Sequence, residues 1–176
     1  MTPNLRPAVE ADIPAITRIY ADAVLNGTAS FEVEPPTEAE MARRRSALVA
    51  DGFPYLVAEQ DGVVRGYAYA GPYRARAAYR STVEDSVYVA EAARGLGIGR
   101  ALLTALIAAC EAIDARAMVA VITDPGSETS AALHVALGFA HVGVLDNVGH
   151  KHGRWLGTVL MQRRPGPGPD TAPTRA

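Results

Sequence analysis

The chain places a glycine-rich segment, Arg-Gly-Leu-Gly-Ile-Gly-Arg at 94–100, between a short β-like run at 86–89 and an apolar-periodic stretch at 102–113. The periodicity of that stretch predicts a helix that begins just after the glycines. The first N–H groups of a helix have no partner within the helix and carry the positive end of its dipole. A strand, a glycine loop and a helix in this order therefore predict an α/β unit with an anion site at the loop.

The residues of the loop favour a phosphate as that anion. Glycines let a bulky pyrophosphate approach the backbone without Cβ clashes, and they tolerate the positive φ angles that a nest of amides requires. Flanking arginines can add charge-assisted hydrogen bonds to the same phosphates. We expect the whole loop to contribute, namely Arg94, Gly95, Leu96, Gly97, Ile98, Gly99 and Arg100.

Three kinds of phosphate-binding loop share features with this segment. A P-loop ends in Gly-Lys-Ser/Thr, whereas here Arg100 and Ala101 follow the last glycine, so no hydroxyl is placed for magnesium. A dinucleotide fingerprint needs a glycine where Arg100 stands; Asp124 could supply its acidic residue, but about half of the chain precedes the loop. An acyl-CoA site has the pattern Arg/Gln-x-x-Gly-x-Gly/Ala between a strand and a helix, and residues 94–99 match it at every defined position.

With this loop pattern, the chain resembles the GNAT superfamily of acetyl-CoA-dependent N-acyltransferases, and the resemblance spans residues 5–163. Within that superfamily it is similar to the phosphinothricin N-acetyltransferases and the related methionine sulfoximine acetyltransferases. The segments that carry this similarity are 31–35, 67–76, 82–89, 133–139 and 149–155. The resemblance implies an α/β fold with a central mixed sheet flanked by helices, a splayed strand pair that holds acetyl-CoA, and a homodimer.

The charge balance excludes several classes of partner. The chain has 17 Lys and Arg against 19 Asp and Glu, so its formal net charge is −2, without the basic footprint of a nucleic-acid or membrane-surface protein. No apolar run approaches the length of a membrane span, and the N-terminus lacks the basic-then-apolar pattern of a signal peptide. We therefore expect no nucleic acid and no membrane as partners.

The single cysteine, Cys110, cannot form an internal disulfide, and its place on the apolar stripe of a helix predicts a small buried hydrophobe. This favours a reducing, cytoplasmic setting, and we expect no bound metal. The length suits one domain, which we place at 1–164. Residues 165–176 are rich in Pro and Gly and are predicted to be a disordered tail.

Hydrophobic periodicity and turn residues predict alternating helices and strands. Helices are expected at 12–25, 37–49, 102–113 and 129–137, and strands at 55–58, 64–69, 86–89, 118–122, 141–145 and 155–161. Thr37 and Glu40 have the spacing of a capping box, and Asp61-Gly62 gives the strongest hairpin signal. The arginines at 43–45 are expected to be a solvated face.

Attack by an amine on a thioester requires a proton acceptor, because an amine is mostly protonated at neutral pH. The resemblance assigns that role to the glutamate of Thr-Val-Glu, which is intact at 82–84, so Glu84 is the expected general base, directly or through a water. A surface carboxylate is the alternative for Glu84. By position, the resemblance also places free backbone amides at Val87, Tyr88 and Val89, where a bulge would separate the strand from its neighbour.

His134 lies on the helix that follows the strand at 118–122. The resemblance implies that it is near the departing sulfur and that it protonates the sulfur or orders a water; the alternative is a satisfied, partly buried histidine. Relatives commonly carry an Asn before this helix that contacts the pantetheine arm. This chain has a loop at 123–129 that is one residue longer, with Ser127 as the candidate cofactor contact.

The amine acceptor is expected to contact residues after a Gly-Pro turn. Two arginines one residue apart suit a carboxylate or a phosphinate, although by themselves they also fit a solvated basic loop. The resemblance identifies this loop with the acid-binding loop of phosphinothricin acetyltransferases. The predicted substrate-binding residues are Phe31, Tyr73, Arg74, Arg76 and Tyr79.

These observations predict N-acetylation of the α-amino group of a small amino acid such as phosphinothricin, methionine sulfoximine or methionine sulfone. One alternative is an acetyltransferase for protein N-termini or polyamines, which would favour an acidic groove over paired arginines. The other is a non-catalytic acyl-CoA-binding sensor, which would retain the glycine loop but lose Glu84 and the arginines at 74 and 76.

Overall fold

The computed structural model describes residues 2–174. Its helices are α1 (Ile13–Asn26), α2 (Glu38–Ala50), α3 (Ile98–Ala112) and α4 (Glu128–Ala136). Its strands are β1 (Asn4–Pro7), β2 (Tyr55–Gln60), β3 (Val63–Pro72), β4 (Thr82–Val89), β5 (Ala117–Asp124), β6 (Ala140–Lys151) and β7 (Arg154–Arg163). In this part of the chain no helix is both long and apolar enough to cross a membrane.

The seven strands form one mixed sheet in the order β1-β2-β3-β4-β5-β7-β6. Neighbouring strands are antiparallel except β4 and β5, which are parallel because α3 connects them. The expected α/β fold, with a central mixed sheet and flanking helices, is confirmed.

The sheet opens between β4 and β5. These strands pair only from Thr82 to Glu84, which confirms the expected splayed pair. Beyond this point β4 keeps an unbroken register with β3 as far as Val89, and β5 keeps one with β7 as far as Asp124. The bulge expected at 87–89 is therefore wrong. The gap forms because each strand follows its other neighbour, so that two twisted half-sheets diverge.

Two hydrophobic cores lie on opposite faces of the sheet. On one face α3 presents Leu102, Leu103 and Leu106, all fully buried, and burial of each leucine contributes about 1.5–3 kcal/mol. On the other face α1 and α2 cover a smaller core that contains Ile16 and the fully buried Tyr67. Cys110 is buried in the first core, as predicted.

Local signals located the start of α2 and the turn between β2 and β3 correctly. The Thr37 hydroxyl accepts a hydrogen bond from the Glu40 N–H at 3.2 Å. Asp61 and Gly62 have φ angles of 52° and 73°, as a type I′ hairpin turn requires. By contrast, α3 begins at Ile98, inside the glycine segment, so that the last residues of the segment form the first turn of the helix.

The expectation of a solvated face at 43–45 needs correction. Arg44 Nη1 donates to Glu32 Oε1 at 2.6 Å and Arg45 donates to the Ala8 carbonyl, so these arginines fasten α2 to its surroundings. Only Arg43 remains largely solvated. In the predicted tail, residues 165–174 contact the domain through Arg116, which donates to the Gly168 carbonyl at 3.1 Å. Residues 175 and 176 lie outside the described residues.

Candidate active site

The opening between β4 and β5 contains a cleft of about 140 Å³ whose walls are β4, β5 and α4. Of the predicted site residues, it brings together Val87, Tyr88, Ser127 and His134. Ser127 precedes α4, but its side chain makes no capping hydrogen bond. The structure therefore places the long 123–129 loop at the cleft.

Glu84 is the last residue of β4 that pairs with β5. Side chains alternate across a strand, and Glu84 pairs with Gly71 on the face that also carries Tyr69 and Ser86, which is the face covered by α1 and α2. Its carboxylate is half-buried, and among residues 2–174 no hydrogen-bond donor reaches it. Burial, and then the negative charge of Asp85, raise the pKa of Glu84. A carboxylate with a raised pKa and no partner is a suitable proton acceptor.

The direction of the backbone N–H groups along β4 also alternates. The Ala90 N–H donates to the Arg65 carbonyl beside β3, whereas the Ser81 carbonyl accepts from Arg116 and Ala117 beside β5. By this alternation the N–H groups of Val87 and Val89 face the gap, and that of Tyr88 faces β3. Because β5 pairs with β4 only as far as Glu84, the amides of Val87 and Val89 have no strand partner among residues 2–174.

His134 is buried at the cleft, and both of its ring nitrogens face acceptors. Nε2 lies 3.0 Å from Asp85 Oδ2, and Nδ1 lies 2.7 Å from the Ser130 carbonyl oxygen. Burial opposes protonation of the ring, but the hydrogen bond and charge of Asp85 and the Ser130 carbonyl outweigh it, so the pKa of His134 is raised. A doubly protonated ring would donate to both oxygens and form a buried ion pair with Asp85, and the raised pKa favours that form. Asp85 was not predicted from the sequence.

The glycine loop has the geometry expected of a phosphate cradle. Gly95 and Gly97 have φ angles of 77° and 79°, and a Cβ at either position would meet open space. No side chain caps α3, so its first N–H groups are available to a ligand. The Ile98 side chain is buried in the core, which leaves only its backbone for this purpose. Arg94 is largely exposed, with Nη2 lying 3.7 Å from Asp22 Oδ2.

The predicted substrate loop lies at the Glu84 end of the sheet, because it joins β3 to β4. The rings of Tyr73 and Tyr79 meet edge to face with centroids 5.7 Å apart. The guanidinium of Arg74 lies over both rings, 5.1 Å from the Tyr73 centroid and 5.8 Å from that of Tyr79. Arg76 is exposed and precedes a short 3₁₀ turn. The structure thus unites Tyr73, Arg74 and Tyr79 in one cluster.

Phe31 lies elsewhere, on the loop between α1 and α2. Its ring packs against Gly149 of β6, where an added Cβ would lie 2.3 Å from the ring. Hydrogen bonds hold this loop to the sheet and to α1. The Thr123 hydroxyl donates to the Thr28 carbonyl at 2.6 Å, Lys151 Nζ donates to the Ser30 carbonyl at 2.7 Å, and the Tyr20 and Ser30 hydroxyls are 2.8 Å apart.

Lys151 also belongs to this arrangement, although no sequence pattern predicted a role for it. It is buried, and burial lowers the pKa of its ammonium group. It lies in the 149–155 segment that carries the family similarity, but the sequence analysis assigned it no role. For metals, no group of three His, Cys, Asp or Glu within residues 2–174 is arranged to hold an ion.

Comparison with known proteins identifies relatives along most of the chain. The model of the acetyltransferase (GNAT) family matches residues 16–139. A phosphinothricin N-acetyltransferase from Alcaligenes faecalis is 52% identical over 170 residues, which cover 97% of this chain and 86% of that protein. An L-methionine sulfoximine/L-methionine sulfone acetyltransferase from Pseudomonas paraeruginosa is 42% identical over 163 residues, covering 92% and 94% of the two chains.

The fold is also shared with a solved structure. A GNAT superfamily phosphinothricin acetyltransferase from Sinorhizobium meliloti, crystallised in complex with AcCoA, superimposes with a TM-score of 0.96 at 52% identity and covers 100% of this chain and 95% of its own. The glycine loop, the parted strands and these matches lead to one assignment. The chain is a member of the GNAT family of N-acetyltransferases.

Proposed function

We propose that this protein transfers the acetyl group of acetyl-CoA to the α-amino group of a small amino acid such as phosphinothricin, methionine sulfoximine or methionine sulfone. The observation that carries the proposal is the half-buried, unpartnered Glu84 at the point where β4 and β5 separate. The activities named for the two relatives support this choice of acceptors.

The residues of the cleft fit acetyl-CoA. The N–H groups of the loop at 95–100 and the first turn of α3 would bind its pyrophosphate, with Arg94 and Arg100 adding charge. The unpaired amides of Val87 and Val89 would donate to carbonyl oxygens of the thioester and pantetheine arm, and Ser127 lines the same cleft. The cosubstrate supplies an acetyl group activated as a thioester.

Glu84 would remove the proton from the attacking amine, directly or through a water. Its raised pKa strengthens it as a base, and the absence of a cationic partner among residues 2–174 leaves both oxygens available. The carboxylate lies on the face covered by α1 and α2, so the acceptor would approach from that face.

His134 and Asp85 would form a charge-balanced pair beside the cleft. Direct proton delivery to the departing sulfur would require one of its two hydrogen bonds to break, because both ring nitrogens are engaged. We therefore assign His134 a positioning role, in place of the expected role of protonating the sulfur or ordering a water.

The acceptor would be held by the loop after β3. Arg76 would bind the acidic group of the amino acid, because its guanidinium is exposed, whereas the guanidinium of Arg74 lies over the rings of Tyr73 and Tyr79 and would add positive charge to the loop. Phe31 would form the opposite wall, on the loop that Lys151 and Thr123 hold in place.

A screen of acetyl-CoA turnover against phosphinothricin, methionine sulfoximine, methionine sulfone, ordinary amino acids, spermidine and an N-terminal peptide tests the proposal. The highest kcat/KM is expected with the first three compounds. Preference for spermidine or the peptide would support the alternative acetyltransferase. Binding of CoA without turnover of any acceptor would support the sensor.

We also propose a homodimer. The β6–β7 ribbon exposes a group of apolar side chains that a second copy would cover, namely Val142, Val144, Leu145, Val148 and Trp155. Sedimentation equilibrium is expected to give twice the chain mass of 18.5 kDa, and a mass of one chain would contradict the dimer.

A further inference from the structure

Asp85 has one carboxylate oxygen that the fold leaves without a partner. Oδ2 faces His134 Nε2 at 3.0 Å, whereas Oδ1 is buried and has no hydrogen-bond partner among residues 2–174. The Asp85 side chain is only 2% exposed. A carboxylate oxygen removed from water without a donor is costly, so such an atom requires a donor that the described part of the chain does not supply.

The position of Asp85 limits what that donor can be. Asp85 lines the cleft between β4 and β5, which is about 140 Å³ and thus narrow. Val87, two residues along the same strand, presents an unpaired N–H to the gap. Ala120 and Ile122 supply apolar surface from β5. A ligand that fits these groups is a thin chain in which apolar links alternate with amide groups. Its amide N–H would donate to Asp85 Oδ1, and its amide oxygen would accept from the Val87 N–H.

His134 explains how a carboxylate can remain at such a place. Its ring neutralises the charge of Asp85 and is itself held by the Ser130 carbonyl at 2.7 Å. The pair is therefore electrically balanced, and the rigid contact with His134 fixes the direction of the free oxygen. In this arrangement His134 positions Asp85, and Asp85 is the group that contacts the ligand.

We propose that Asp85 Oδ1 accepts a hydrogen bond from an amide N–H of the pantetheine arm of acetyl-CoA, which makes Asp85 a cofactor-binding residue held in place by His134. The proposal rests on the proposed use of acetyl-CoA. The backbone amides of β4 would then be joined by one side chain of the same strand in binding the cofactor.

The test compares CoA, which has the arm, with adenosine 3′,5′-bisphosphate, which lacks it, by isothermal titration calorimetry. Removal of a hydrogen bond to a charged acceptor is expected to weaken CoA binding by about tenfold or more. The double variant Asp85→Leu/His134→Leu removes the acceptor and replaces the ion pair by two apolar side chains, which buried sites commonly tolerate. Asp85→Asn and His134→Gln each retain an oxygen at position 85.

The double variant is expected to lose about tenfold or more in affinity for CoA, and its affinity for the bisphosphate should stay within about twofold of the wild-type value. Asp85→Asn and His134→Gln are expected to keep CoA affinity within about threefold. Unchanged CoA affinity in the double variant would overturn the proposal. Equal loss of both ligands would also overturn it, because Asp85 would then act only through the fold. Failure of the wild-type protein to bind CoA would instead refute the proposed function.

Discussion

His134 Nε2 lies 3.0 Å from Asp85 Oδ2, and this contact joins α4 to β4 across the gap where β4 no longer pairs with β5. Both side chains are nearly fully buried, at 4% and 2% exposed. The two carboxylates at positions 84 and 85 point to opposite faces of the strand, so Glu84 faces the acceptor side while Asp85 faces α4.

The ion pair gives the stability of the domain a pH dependence. The pKa of His134 is raised in the folded protein above its ordinary value of 6.5, so the pair stabilises fully below that pH and less as the pH rises through the folded value. Asp85→Asn is expected to lower the free energy of unfolding by about 1–3 kcal/mol near pH 6 and by less near pH 9. Urea unfolding at both values measures this difference. An equal loss at the two pH values would contradict the charged pair.

Gly97 is expected to affect CoA affinity in addition to the backbone strain that any substitution there would cause. Alanine at a φ of 79° should cost about 1–2 kcal/mol of stability, and Gly52→Ala, at a φ of 77° after α2, should cost the same. Neither Cβ meets another atom within 4 Å. Only Gly97→Ala should weaken CoA binding, by about fivefold or more, because its Cβ would intrude on the phosphate site. Equal CoA affinity in the two variants would remove the loop from the cofactor site.

Arg76→Ala is expected to raise KM for phosphinothricin by about tenfold, because the acceptor loses a charge-assisted hydrogen bond. KM for acetyl-CoA should not change. Arg18→Ala, which removes an exposed arginine on α1, is the matched control. Steady-state kinetics at saturating acetyl-CoA measure the effect, and a change below about twofold in Arg76→Ala would show that the loop does not bind the acidic group.

Gly149→Ala tests whether the position of Phe31 matters. The new Cβ would lie 2.3 Å from the Phe31 ring, which must move toward solvent, whereas Gly143→Ala on the same strand meets no atom within 4 Å. Because Phe31 is already 38% exposed, the melting temperature should change little. KM for the acceptor should rise in Gly149→Ala alone. Equal KM values in the two variants would place Phe31 outside the acceptor site.

Local sequence signals predicted the parts of this fold that depend on neighbouring residues. The Asp61-Gly62 turn, the cap at Thr37 and the helix after the glycines each require only a few adjacent residues of the right type. The choice of Glu84 came from a motif whose meaning depends on a family resemblance. The structure extends the expected strand at 86–89 back to Thr82, so that Glu84 lies within β4 beside the gap.

Contacts between distant segments could not be predicted in this way. Asp85 and His134 are 49 residues apart, and Lys151 and Ser30 are 121 residues apart. Their partners are set by the order of strands in the sheet, which no local pattern contains. The gap between β4 and β5 was likewise expected from a bulge in one strand, whereas it arises from the pairing of both strands with their other neighbours.

The pH dependence of Glu84→Gln tests the central claim most directly. In the wild-type protein, kcat/KM with acetyl-CoA and phosphinothricin should rise as the pH passes the raised pKa of Glu84, where the carboxylate becomes a base. Glu84→Gln should lower kcat by about 10²–10⁴-fold and abolish this acidic limb, while Glu91→Gln, an exposed control, should leave both unchanged. A kcat in Glu84→Gln that equals the wild-type value from pH 6 to 9 would contradict the account.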